Sequence, residues 1–79
     1  MAKIGIQLWF NQYVYRETMQ SDMRSMALEL RISEKTVEKA LRSEDAPETA
    51  LVFRLCLRMM AFRNIDLNKV FMRYFNEEQ

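Results

Sequence analysis

The sequence predicts a single small all-α domain, and two observations support this fold class. The 79 residues include one glycine and one proline, whereas folds built from strands need turn residues at short intervals. Apolar side chains instead recur every three or four positions along much of the chain, which is the spacing of a helix face. A chain of this length supports one hydrophobic core. We therefore expect residues 1–79 to form one domain of five helices.

The first predicted helix runs from Ile6 to Met19. Its apolar side chains lie three and four residues apart, at Ile6, Trp9, Phe10, Tyr13 and Val14. Apolar residues also alternate between Ile4 and Phe10, and alternation is typical of a strand. The sequence therefore leaves open a short strand over residues 3–8 ahead of the helix.

The second and third predicted helices are short and adjacent. Ser21 is suited to cap a helix over Asp22–Leu30, and Ser33 is suited to cap another that extends to Arg42. The apolar faces of the two helices consist of Met23, Met26, Ala27 and Leu30 in the second and Val37, Ala40 and Leu41 in the third. The helical spacing breaks at residues 31–33 because one helix ends there and another begins.

The fourth and fifth predicted helices complete the fold. Pro47 suits the first position of a helix, since its missing N–H would have no partner there, and this helix should extend to about Phe62. It is apolar on almost all sides, apart from a polar stripe of Arg54 and Arg58, so it should be buried on more than one side. Asp66 should then cap the fifth helix, Leu67–Phe75.

These last two helices carry more large apolar side chains than one small core can enclose. We therefore expect the C-terminal helices, residues 47–75, to form the interface of a symmetric homodimer. The side chains assigned to this interface are Phe53, Leu57, Met60, Phe71, Met72 and Phe75. Cys56 is expected to be a small buried hydrophobic residue.

Composition argues against several functional classes. The chain has no histidine and one cysteine, which leaves no internal disulfide and no Cys/His zinc site, and favours a reducing cytoplasm. No stretch approaches the roughly 20 apolar residues that span a bilayer, so we expect no membrane insertion. No nucleophile, phosphate-loop or metal motif is present, so we expect neither an enzyme nor a cofactor. The net charge of +1 is low for a nucleic-acid-binding protein.

The second and third helices have the pattern of a helix-turn-helix, over about residues 21–42. Two short helices meet at a tight turn, a small residue, Ala27, lies where they would cross, and the outer face of the third is polar. Such a motif places its second helix in the major groove of double-stranded DNA. The residues assigned to DNA are Ser33, Glu34, Lys35, Thr36, Glu38, Lys39 and Arg42, with Arg24 and Arg31 beside them.

The segment SDMRSMALELRISEKTVEKALRSEDAP resembles the helix-turn-helix of the Cro and phage-repressor (Xre-like) DNA-binding domains. The similarity rests on the spacing of Ala27, Leu30, Ile32 and Val37. It continues through ETALVFRLCLRMMAFRNIDLNKVF to about Phe71. The resemblance implies a compact five-helix, lambda-repressor-like domain that binds operator DNA, usually as a dimer.

Four positions depart from the pattern of that family. Arg31 in the turn and Ser43 after the third helix stand where the family usually has glycine. The left-handed backbone conformation raises the free energy of a residue other than glycine by on the order of 1 kcal/mol. We therefore expect these two turns to be strained or reshaped. Asp22 stands where a glutamine often faces phosphate, and Leu41 replaces an acidic residue that forms a buried ion pair.

Two functions follow from this pattern. The first is a small sequence-specific DNA-binding regulator, a phage- or plasmid-like repressor that binds an inverted-repeat operator as a homodimer. The second is a protein-binding antirepressor or inhibitor on the same fold, which the low net charge and Asp22 favour. A plainer interpretation makes the third helix a solvated surface, although Glu34–Glu38 and Lys35–Lys39 place like charges four residues apart, which destabilises a helix.

Overall fold

The structure is a computed structural model that describes residues 4–18 and 23–76, and it contains five α-helices. They are α1 (Ile6–Thr18), α2 (Met23–Leu30), α3 (Glu34–Ala40), α4 (Thr49–Phe62) and α5 (Leu67–Asn76). The described residues contain no strand, so the all-α prediction is confirmed. The alternative of a strand over residues 3–8 is wrong for residues 4–8, since α1 begins at Ile6.

Three helix boundaries differ from the prediction, and one of them is the end of the fifth helix, which lies at Asn76 rather than Phe75. The third helix ends at Ala40 rather than Arg42, because the Arg42 N–H donates to the Lys39 carbonyl, three residues back, and not to that of Glu38. The fourth helix begins at Thr49 rather than Pro47, after a turn in which the Thr49 N–H donates to the Ala46 carbonyl at 3.1 Å. The predicted cap at Ser21, the start of the second helix at Asp22 and the end of the first at Met19 lie outside the described residues.

Phe10 of α1 lies at the centre of the hydrophobic core. Its side chain is fully buried, and its ring centroid lies 5.4 Å from that of Phe53 in α4 and 4.8 Å from that of Phe71 in α5. Aromatic pairs at these distances add to the free energy gained by burial alone. One residue of α1 therefore ties the two C-terminal helices together.

Two neighbouring amides of α1 hold the segment between α3 and α4. The buried Asn11 donates its Nδ2 to the Thr49 carbonyl at 3.1 Å, and Gln12 donates its Nε2 to the Leu41 carbonyl at 2.9 Å. Thr49 in turn donates its hydroxyl to the Ser43 carbonyl at 2.9 Å. Carbonyl groups at the end of a helix lack partners within the helix, so these bonds fix where α3 ends.

The start of α1 is also held by distant parts of the chain. The Gly5 N–H donates to the Glu44 carboxylate at 2.9 Å, and the Tyr74 hydroxyl donates to the Ile4 carbonyl at 2.6 Å. The first turn of α1 has no acidic residue of its own, so Glu44 supplies the negative charge that stabilises a helix N-terminus.

Cys56 is fully buried in α4, as expected. Burial raises the pKa of its thiol from 9.0 to about 12, because the thiolate is poorly solvated in the core. The thiol therefore stays protonated at neutral pH, and the residue acts as a packing group.

Replacing Phe10 with alanine tests the central position of this ring. Phe10→Ala should lower the free energy of unfolding by about 3–5 kcal/mol, because it leaves a cavity between three helices. The measurement is urea denaturation followed by circular dichroism at 222 nm.

Phe62→Ala is the matched control, because the Phe62 side chain is 89% exposed and its removal should change stability by less than about 0.5 kcal/mol. Equal destabilisation by the two substitutions would contradict this description of the core.

Candidate nucleic-acid interface

A left-handed residue ends α2 and turns the chain towards α3. Arg31 has a φ of 59°, its N–H donates to the Leu28 carbonyl at 3.3 Å, and the next N–H, of Ile32, donates to the Ala27 carbonyl at 3.0 Å. This pair of bonds is the Schellman motif, whose left-handed position is usually glycine. The turn expected at Arg31 is therefore present, and Arg31 adopts the strained conformation.

The same motif recurs at the end of α4, where Asn64 has a φ of 59°. The Ile65 N–H donates to the Met60 carbonyl and the Asn64 N–H to the Ala61 carbonyl, both at 3.0 Å. Asparagine tolerates left-handed dihedrals better than most residues. Of these two turns, the one at Arg31 is therefore the more strained.

Ser33 caps the N-terminus of α3, as the sequence predicts. Its backbone is extended, and its hydroxyl oxygen accepts a hydrogen bond from the Thr36 N–H at 3.1 Å. Val37 and Ala40 are fully buried, so the inner face of α3 is fixed against the core. The cap and these two contacts together determine which side chains of α3 point outward.

The residues of α3 and its flanks that were predicted to contact DNA have side chains that point outward. Ser33, Glu34, Lys35, Glu38, Lys39 and Arg42 are exposed and Thr36 is half-buried. A shallow groove of about 380 Å³ runs along this surface and is lined by Lys35, Thr36, Glu38, Lys39, Arg42 and Ser43. Arg24 on α2 and Arg31 in the turn are also exposed.

Each glutamate on this surface has an arginine partner. Arg24 Nε on α2 lies 3.7 Å from Glu34 Oε2 on α3, and Arg42 Nη2 lies 3.1 Å from Glu38 Oε2. Both pairs are exposed, and exposed pairs contribute at most about 1 kcal/mol. The arginines can therefore exchange these carboxylates for another anion at little cost.

Lys35 and Lys39 differ from Arg24 and Arg42, because neither lysine has an acidic partner within residues 4–18 and 23–76. They lie one helical turn apart on the exposed side of α3, so the two ammonium groups face the same side. Within the described residues, this pair and Arg31 in the adjoining turn carry positive charge that no carboxylate compensates.

Sequence reasoning did not assign Leu28, whose side chain is 72% exposed on α2. It borders a groove of about 440 Å³ that is also lined by Arg24, Ala27, Ile32, Ser33 and Glu34. The apolar spacing of α2 excludes Leu28 from the buried face. This spacing could have identified Leu28 as an exposed apolar residue.

The residues assigned to a dimer interface lie in two different environments. Met60 is 1% exposed and belongs to the core, so in this structure it is not available to a second chain. Phe53, Leu57 and Phe71 are half-buried against the core, whereas Met72 and Phe75 are 54% and 50% exposed. Because α4 is apolar on nearly every side, its sequence does not separate a buried face from an exposed one.

Within the described residues, no three His, Cys, Asp or Glu side chains are grouped to hold a metal ion, and no helix is long and apolar enough to cross a membrane. No family model, curated protein or solved structure matches the chain.

Replacing Arg31 with glycine tests the strain in the α2–α3 turn. Arg31→Gly should raise the free energy of unfolding by about 1 kcal/mol, because glycine adopts left-handed dihedrals without a steric penalty. Urea denaturation at equilibrium measures the difference.

Arg31→Ala separates the backbone effect from the loss of the side chain, because alanine keeps a Cβ atom and should give no gain. Asn64→Gly should stabilise less than Arg31→Gly. If Arg31→Gly were no more stable than the unsubstituted protein, the turn would not be strained.

Proposed function

We propose that this chain is a small sequence-specific DNA-binding protein, a transcriptional regulator in which α2 and α3 act as a helix-turn-helix on a lambda-repressor-like fold. The observation that carries the proposal is the outward face of α3, where Lys35 and Lys39 lie one turn apart without acidic partners in the described part of the chain. A protruding helix with a polar outer face is what the major groove accepts.

In this proposal α3 lies in the major groove with its first turn towards the base edges. Lys35 and Lys39 donate to guanine O6 and N7 or to phosphate, and Glu34 accepts from a cytosine amine. Arg24 and Arg42 contact the flanking phosphates after leaving their carboxylate partners. Phosphate contacts of this kind position a protein, and the base contacts specify the sequence.

The proposal includes a homodimer on an inverted-repeat operator. The exposed side chains of Met72 and Phe75 on α5 are the apolar surface that a second copy would cover. Two α3 helices about 34 Å apart would then enter successive major grooves on one side of the duplex.

A second candidate function is an antirepressor or inhibitor that binds protein through the same surface. Glu34 and Glu38 are exposed beside the two lysines, and the net charge of the chain is only +1. Salt separates the two functions, because DNA binding weakens steeply with salt in proportion to the number of phosphates contacted.

The two lysines provide the direct test. In fluorescence anisotropy titrations of labelled double-stranded DNA, Lys35→Ala and Lys39→Ala should each cost about 1 kcal/mol or more, or roughly five-fold in affinity, because each removes a contact to base or phosphate. A lysine that binds phosphate should also reduce the slope of log affinity against log salt by about 1.

The matched control is Lys69→Ala, an exposed lysine on α5 that this proposal places away from DNA, and it should leave the affinity unchanged. The proposal is wrong if the Lys35→Ala/Lys39→Ala double variant binds DNA as tightly as the unsubstituted chain.

A further inference from the structure

A second groove, of about 760 Å³, lies between α2 and the C-terminal half of α4 and shares no lining residue with the α3 groove. Its apolar lining comprises Met26 and Leu55, which are buried, Met59, which is half-buried, and Phe62, which is 89% exposed. Methionine side chains adapt their shape to an incoming apolar group. These four side chains line one groove together, and a contiguous apolar surface that reaches solvent is typical of an association site.

The charges around this groove indicate the kind of partner. Arg58 Nη2 lies 3.3 Å from Glu29 Oε2, so these two charges largely compensate each other. Arg63 also lines the groove and has no acidic partner within the described residues. The groove therefore carries an excess of positive charge, which favours an acidic partner.

We propose that the α2–α4 groove binds an amphipathic helix of a partner protein whose polar face is acidic. Apolar side chains of that helix, spaced at three and four residues, would pack on Met59 and against the Phe62 ring. Its carboxylates would pair with Arg63 and with Arg58, the two arginines that line the groove.

A second copy packed groove to groove about a two-fold axis fits less well, because it would place Arg63 of one copy beside Arg63 of the other. Neither Lys35 nor Lys39 lines this groove, so a partner helix bound there leaves the proposed DNA-binding face open. The inference therefore does not depend on the proposed function.

The test uses two fluorescein-labelled 15-residue peptides and the full chain. One peptide has leucine at a spacing of three and four residues with glutamate at most other positions, and the other has lysine in place of each glutamate. Fluorescence anisotropy at about 0.15 M salt should show saturable binding of the glutamate peptide and none of the lysine peptide at the same concentrations, since screening at this ionic strength is incomplete at contact distance.

Substitutions in the groove should weaken the binding of the glutamate peptide. Phe62→Ala should reduce its affinity at least ten-fold and Arg63→Glu at least five-fold. Leu51→Ala and Arg54→Glu are the matched controls, because both residues are exposed on α4 and do not line the groove. Both controls should bind the peptide within two-fold of the unsubstituted chain.

Three results would overturn the inference. They are the absence of binding, equal binding of the two peptides, and full affinity in Phe62→Ala. Sedimentation of the free chain adds a fourth, because self-association that Phe62→Ala abolishes would assign the groove to a second copy. Phe62→Ala and Arg63→Glu should keep their affinity for DNA, so failure here is distinguishable from failure of the proposed function.

Discussion

A helix of seven residues is too short to be stable in water by itself, so α3 depends on the contacts that hold it. Val37 and Ala40 are buried in the core, the Ser33 hydroxyl caps the first turn, and Gln12 donates to the Leu41 carbonyl just beyond the last. Every polar side chain on the outer face is aimed by these contacts. The proposed recognition surface is therefore a product of tertiary packing more than of helix propensity.

The chain has one glycine, and its left-handed turns are made by other residues. The left-handed positions after α2 and α4 are occupied by Arg31 and Asn64, and the hydrogen bonds of two Schellman motifs hold them there. Half-buried Ile32 and Ile65, which follow these residues, pack against the core, so burial of an apolar residue offsets the strain of the one before it. Strained residues often occur at functional sites, and the more strained one here adjoins α3.

Sequence alone predicted the parts of the fold that depend on local chemistry. The five helices follow from apolar spacing, and the caps at Ser33 and Asp66 follow from residue type; Asp66 accepts from the Asn68 N–H at 3.0 Å. The outward face of α3 was predicted for the same reason. Sequence did not place Met60 in the core, because α4 is apolar on most of its sides. The exposure of Phe62 did have a signal, since Phe62 lies four residues beyond Arg58 and continues the polar stripe of Arg54 and Arg58. The ion pairs and the α2–α4 groove depend on how distant segments meet, which local patterns do not encode.

The proposal that α3 reads base sequence is tested most directly by selecting bound sequences from a library of random double-stranded DNA. We expect enrichment of a short motif, repeated in inverted orientation with half-site centres about 10 base pairs apart, because two copies of α3 would enter successive major grooves. A library that binds the protein but stays as random as the starting pool after several rounds would contradict the claim.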